Sequence, residues 1–166
     1  MKGKVIKYDI KNINTDMIIP ARYLVSSEPD HLAQHCMEDI DPNFINKVKE
    51  YNSSILVTNS NFGCGSSREQ APISLKASGI RCIIAPSFAR IFFRNAINIG
   101  LPILELKQIN LLKSGDDLWI DLTSGVIENL TTKIKITVKK MPEFIQNIIN
   151  SNGLINYSKK FLISKH

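Results

Sequence analysis

The apolar positions of this chain follow two rhythms. Short β-branched and aliphatic runs stand at Val5-Ile6, Ile55-Leu56-Val57, Cys82-Ile83-Ile84 and Ile103-Leu104. They predict strands over residues 4–8, 55–58, 80–86 and 101–106. Between them, apolar residues recur at helical spacing. Leu32, Ala33, Cys36 and Met37 mark a helix within residues 28–39, and Pro42 suits the first turn of another over 41–51. Residues 73–78 read as a helix body stopped at Gly79. Ser87 is placed to cap a helix carrying Phe88, Ile91, Phe92 and Ile97, with Gly100 near its end. Strand, helix, strand, helix, strand predicts parallel crossovers, with the loop after the Ile55 strand at the carboxyl edge of the sheet. Beyond residue 110 the rhythm becomes alternation. Segments 118–122 and 126–130 flank Thr123-Ser124-Gly125 as a hairpin, and residues 133–138 alternate as a half-exposed strand. A helix over 142–150 is stopped by Asn152-Gly153, leaving 158–166 as a tail, ordered or frayed. With no internal repeat and no low-complexity linker, the 166 residues predict one α/β domain, 1–166.

The candidate chemistry sits between the Ile55 strand and the Gly79 helix, in Asn59-Ser60-Asn61-Phe62-Gly63-Cys64-Gly65-Ser66-Ser67-Arg68-Glu69-Gln70-Ala71-Pro72. Gly63 and Gly65 allow tight turning and close approach to a ligand. Ser66, Ser67 and Arg68 fall at or near a helix start, where unpaired amides and the helix dipole favour negative charge. Pro72 loses nothing there, because a first-turn amide has no helical partner. Two hydroxyls, a guanidinium and free amides thus converge on one spot, and an anion is the natural guest. Arg68 suits a carboxylate or phosphate held by two parallel hydrogen bonds. A Gly-Ser-Ser loop taken alone is more often a plain helix cap. This one lacks the Lys of a phosphate-binding loop and the glycine spacing of a dinucleotide fingerprint.

Composition narrows the field. The formal net charge is +6, but the basic residues are dispersed, in runs no longer than pairs such as Lys139-Lys140 and Lys159-Lys160. Nucleic-acid binding is therefore not the expectation; solvated surface, an acidic partner or steering of an anionic substrate is. No apolar run approaches the about 20 residues that span a bilayer, and residues 1–5 begin no signal-peptide core, so a cytoplasmic protein with no membrane partner is expected. Cys36, Cys64 and Cys82 match no metal spacing, and an iron–sulfur cluster needs several thiolates brought together. Cys64 reads as a small turn residue open to oxidation. His31 and His35 share a helical face but have no evident third ligand, and read as solvated. No metal site is expected on this chain.

The string Asn61-Phe62-Gly63-Cys64-Gly65-Ser66-Ser67-Arg68-Glu69 resembles the active-site loop of the swivelling domain in the aconitase superfamily. Two further blocks keep that family's order: Asn14-Thr15-Asp16-Met17-Ile18-Ile19-Pro20-Ala21-Arg22-Tyr23-Leu24 and Ser87-Phe88-Ala89-Arg90-Ile91-Phe92-Phe93-Arg94-Asn95-Ala96. Together they resemble the separate small subunits of the isopropylmalate dehydratase family over nearly the whole chain. One departure is Gln70, where many relatives carry His.

The resemblance implies a swivelling β/β/α domain, with a largely parallel central sheet flanked by helices and an added hairpin region. It implies Ser66 as catalytic base, Arg68 as carboxylate clamp and Asp16 as the residue that orients a nearby arginine or serine. Ser67, Gly65 and Thr15 line the substrate. Tyr23, Leu24 and Val25 belong to a mobile loop that senses its variable group, where Val25 suits an isopropyl group and cannot pair a distal carboxylate. The acid that removes the hydroxyl is implied to be a 4Fe-4S cluster on a partner large subunit, in a heterodimer or heterotetramer. No cofactor is held by this chain. The activity implied is isomerisation of 2-isopropylmalate to 3-isopropylmalate through 2-isopropylmaleate, in leucine biosynthesis. A small subunit of homoaconitase or of a methylmalate/citraconate dehydratase is the alternative, and a non-catalytic anion- or nucleic-acid-binding module a more distant one. Arg22 is left as a surface or subunit-contact residue. Arg90 and Arg94 share a helical face, toward acidic groups or toward the partner.

Overall fold

The computed structural model describes residues 1–51 and 54–163. Strand β1 (Lys2–Tyr8) is followed by a single helical turn α1 (Thr15–Ile18), a 3-10 turn at Ala21–Tyr23, and helices α2 (Pro29–Gln34) and α3 (Phe44–Tyr51). The alternating block is β2 (Ser54–Thr58), α4 (Gln70–Ser78), β3 (Ile80–Ala85), α5 (Arg90–Asn98) and β4 (Ile103–Glu105). Strands β5 (Asp117–Asp121), β6 (Val126–Asn129) and β7 (Ile134–Thr137) follow, and helices α6 (Glu143–Asn150) and α7 (Leu154–Ile163) close the chain.

All seven strands form one sheet in the order β4-β3-β2-β1-β5-β6-β7. The pairs β1–β2, β2–β3 and β3–β4 are parallel, as the crossover pattern predicts. On the other side of β1 the predicted hairpin and its neighbour join the same sheet as an antiparallel meander. The two halves read differently in sequence for a physical reason. β2 is buried at every position, as a central parallel strand covered on both faces must be. β5 and β6 bury alternate residues, Leu118, Ile120 and Ile127 among them. Val5, Ile55, Leu56, Val57, Ile83 and Ile84 are essentially solvent-free and form the centre of the core. Burial of each large aliphatic side chain there contributes about 1.5–3 kcal/mol.

Three local expectations are corrected, and a fourth, left open, is decided. The helix expected over 28–39 ends at Gln34, because Met37 adopts a left-handed backbone (φ 60°) and its amide bonds the Ile18 carbonyl at 2.8 Å. That turn still buries Cys36 and Met37, so their apolar spacing was real but not helical. The next helix starts at Phe44, not Asp41. Asp41 Oδ1 accepts the Asn43 amide, while its Oδ2 accepts the Tyr8 hydroxyl and the Lys47 ammonium. Ser87 does not cap α5, whose first residue is Arg90. Its Oγ accepts the Asn61 amide instead, at 2.9 Å. Most of the expected tail is α7, launched by the left-handed pair Asn152 and Gly153; residues 164–166 lie outside the described residues.

Candidate active site

The site is built where three parallel strands end side by side. The pairing of Tyr8 with Thr58 at the ends of β1 and β2 continues into the loops beyond them. Asn12 N–H donates to the Ser60 carbonyl, Gly63 N–H to that of Ile13, and Thr15 N–H to that of Cys64, at 2.8–2.9 Å. The loop after β2 is joined in the same way to the loop after β3. Phe62 N–H donates to Ser87 O at 3.2 Å, and Ala89 N–H to Phe62 O at 2.9 Å. Side chains add Asn59 to Asp9 and Asn61 to Asn12. The Gly63–Arg68 loop is thus clamped from both flanks although it is not itself regular structure.

Gly63 owes its place to packing. At φ +77° a Cβ there would lie 2.1 Å from Cγ of Phe92, so the backbone's close approach is to a core ring. Phe92 stands edge-on to Phe62 beneath the loop. At Gly65, with φ +90°, an added Cβ would first meet Asn14 and Thr15 at ordinary contact distances of 3.5–3.9 Å, and the residue lies exposed.

Six of the expected residues are gathered here, Gly65 among them. Thr15, 2% exposed, donates its hydroxyl to the Ser66 carbonyl at 2.9 Å. Asn14 caps α1 by accepting the Met17 amide, which orients the turn bearing Thr15 and Asp16. Arg68, with its side chain 16% exposed, pairs with Asp16 Oδ1 at 2.5 Å and donates to the Ile19 carbonyl at 3.4 Å. Both bonds come from Nη1, which leaves Nη2 and Nε for a ligand. Ser66 and Ser67 are exposed, and their hydroxyls and amides bond no group among the described residues. The helix itself begins at Gln70, so Ser66–Arg68 precede its first turn rather than form it. Pro72 does fall in that first turn.

The other expected residues are placed differently. Tyr23 ends the 3-10 turn and stacks on His35, Leu24 is half-buried, and Val25 is 87% exposed. No hydrogen bond among the described residues joins these three to the Gly63–Arg68 loop. They reach it through the chain, because Arg68 holds the carbonyl of Ile19 just before their turn. Arg22 pairs with Glu38 and Asp39 on its own surface. His31 and His35, expected to be solvated, are half-buried and packed on Tyr23. Arg90 and Arg94 are exposed and form no ion pair among the described residues. They line a hollow of about 500 Å³ together with Gly63, Gly65, Ala89 and Ile91.

The cysteines do not suit an iron–sulfur cluster. Cys36 and Cys82 are fully buried, and burial pushes both thiols up to about 12, away from the thiolate a cluster requires. Among the described residues no group of three or more His, Cys, Asp or Glu side chains could hold a metal ion. Sequence reasoning did not assign Asn12, Asn14, Asn61 and Ser87, which hold the loops together. The adjacency of parallel strand ends was the signal that could have found them.

A sequence-family profile described as the aconitase C-terminal domain matches residues 1–109. The chain is 55% identical over 159 residues to the 3-isopropylmalate dehydratase small subunit of Caldicellulosiruptor saccharolyticus, covering 95% of this chain and 90% of that one. It is 56% identical over 161 residues to the protein of the same name from Caldanaerobacter subterraneus subsp. tengcongensis, covering 96% and 98%. The crystal structure of 3-isopropylmalate dehydratase from Methanocaldococcus jannaschii superposes with a TM-score of 0.91 at 43% identity, over 99% of this chain and 96% of that one.

Proposed function

The chain belongs to the small subunits of 3-isopropylmalate dehydratase, within the aconitase C-terminal domain family, and from that premise we propose how its residues serve the reaction. It is a hydro-lyase component that works with a large subunit. The substrate we assign is 2-isopropylmalate, isomerised to 3-isopropylmalate through 2-isopropylmaleate. Its position in metabolism is leucine biosynthesis and its compartment the cytoplasm. Among the described residues no helix is long and apolar enough to cross a membrane.

The observation that carries the assignment is the linked set Thr15, Asp16, Ser66 and Arg68 at the carboxyl edge. Ser66 takes the proton from the carbon beside a carboxylate. The electron pair of the broken C–H bond forms the carbon–carbon double bond as hydroxide leaves the neighbouring carbon, where an acid on the large subunit would protonate it to water; water then adds back with the opposite orientation. A serine hydroxyl is a weak base unless its alkoxide is stabilised, and unpaired amides with a guanidinium two residues on supply that environment. Arg68 grips a substrate carboxylate through its free nitrogens, while Asp16 fixes the guanidinium plane. Thr15 holds the backbone of Ser66, and Ser67 and Gly65 border the carboxylate.

A 4Fe-4S cluster, which would act as the acid toward the departing hydroxyl, is assigned to the large subunit, because the cysteines of this chain do not fit it. The exposed Ser66–Ser67 loop and, beside it, Arg90 and Arg94, which form no ion pair among the described residues, make up the face that the large subunit covers. The chain is read as one domain, 1–166, with neither nucleic acid nor membrane as partner. Turnover by the reconstituted pair tests the substrate: 3-isopropylmalate should be dehydrated in strong preference to homocitrate and methylmalate. A preference for homocitrate would remove the role given to Val25.

A further inference from the structure

The turn at Ala21–Tyr23 buries none of its residues, and Val25 just beyond it is 87% exposed. Its backbone is held by two bonds, from Tyr23 N–H to Pro20 O at 3.0 Å and from Leu24 N–H to Ala21 O at 3.1 Å. A surface turn so lightly held populates several conformers unless side chains fix it. Here they do. The Tyr23 ring lies parallel to the His35 imidazole, with centroids 3.6 Å apart and planes 3° apart. The Arg22 guanidinium lies 4.7 Å from the centroid of the same ring. His31 Nε2 is 3.2 Å from the Tyr23 carbonyl; a carbonyl only accepts, so the imidazole donates. His31 meets His35 edge-on at 5.3 Å. Glu38 closes the circuit, accepting His35 Nδ1 at 2.9 Å on one oxygen and Arg22 Nη2 at 2.6 Å on the other. Burial acts to raise the Glu38 carboxyl, but hydrogen bonds from Tyr23, His35 and Arg22 hold it below its ordinary value.

We infer that His31, His35 and Glu38 are positioning residues for the substrate-sensing turn: the Tyr23–His35 stack and the Glu38 bridge present Leu24 and Val25 in one geometry before substrate or partner arrives. This rests on the reading, given above, that Tyr23, Leu24 and Val25 meet the substrate. The consequence is for affinity. A turn that is competent only part of the time weakens apparent binding by that fraction, whereas the chemical step, run by Ser66 and Arg68, is untouched.

His35→Ala removes both the stack and the bond to Glu38; His35→Phe keeps the ring and loses only the bond, and also serves should the alanine variant not fold. Amide hydrogen exchange at Tyr23 and Leu24 in the full chain alone reads the turn. Steady-state kinetics of the chain with its large subunit read the substrate. His35→Ala should speed exchange at those two amides about three- to tenfold, the scale of one aromatic stack. KM should rise by a similar factor with kcat within about twofold, and His35→Phe should recover much of both. Unchanged exchange in His35→Ala overturns the lock. Faster exchange with unchanged KM overturns its bearing on substrate. A wild-type pair that turns over no isopropylmalate defeats the functional reading instead, while the exchange data still decide the lock.

Discussion

At the scale of single residues, those proposed to react are distinct from those that hold them. Ser66→Ala should lower kcat about 10²–10⁴-fold, the usual contribution of a positioned base, while leaving the thermal transition and subunit pairing intact; near-normal turnover would remove Ser66 from that role. Arg68→Lys keeps the charge but loses the planar fork, and should raise KM about ten- to a hundredfold. Thr15→Val is nearly isosteric and tests the support beneath Ser66. The hydroxyl bond to the Ser66 carbonyl disappears, so stability should fall by about 1 kcal/mol, and kcat should fall while the Thr15 amide still holds Cys64. A variant that loses stability but keeps kcat would make Thr15 merely structural. Ser66 and Arg68 stood out as an anion site from the residues of their own loop, whereas Thr15 and Asp16, and the roles of base and clamp, came from the family resemblance. The resemblance left open whether Asp16 orients an arginine or a serine; the structure pairs it with Arg68, across 52 positions of chain.

At the scale of elements, the catalytic loop is a continuation of the sheet without its regularity. Its two glycines answer to different constraints, so alanine at each should fail differently. Gly63→Ala drives a methyl group into Phe92 in a left-handed backbone, and should cost about 2–4 kcal/mol. Gly65→Ala meets no close neighbour and should cost only about 1 kcal/mol of backbone strain, with its larger effect on activity. Denaturant titration of the two variants checks this, and equal losses of stability would contradict it. The parallel block was readable because buried strands and helix bodies carry strong local patterns. The early stop of α2 was not. Its apolar spacing persists through Cys36 and Met37, and only the bond between Met37 and Ile18 reveals that the chain has turned. Ser87 has the same lesson: a sound cap by local rule, it is claimed by the amide of Asn61 on a neighbouring loop. His31 and His35 looked solvated because their partners, Tyr23 and Glu38, lie on a turn before α2 and a turn after it.

At the scale of the whole molecule, the arrangement is that of half a site. The sheet carries the proposed base and anion clamp at its carboxyl edge, and the loop bearing them faces solvent beside two arginines that form no ion pair among the described residues. The thiols are mostly buried, and the described residues gather no metal-binding group. The antiparallel meander and the closing helices α6 and α7 lie elsewhere in the sequence from every residue assigned to chemistry; the meander completes the sheet, and α6 and α7 pack on α5. The central claim is therefore that this chain folds alone but reacts only in company. The most direct measurement is an anaerobic assay of the chain, alone and mixed with a cluster-loaded large subunit from the same genome. It follows the ultraviolet absorbance of the unsaturated intermediate formed from 3-isopropylmalate. The account predicts no absorbance change with either subunit alone and steady turnover in the mixture. Turnover by this chain alone, or none in a mixture whose large subunit works with another small subunit, would contradict it.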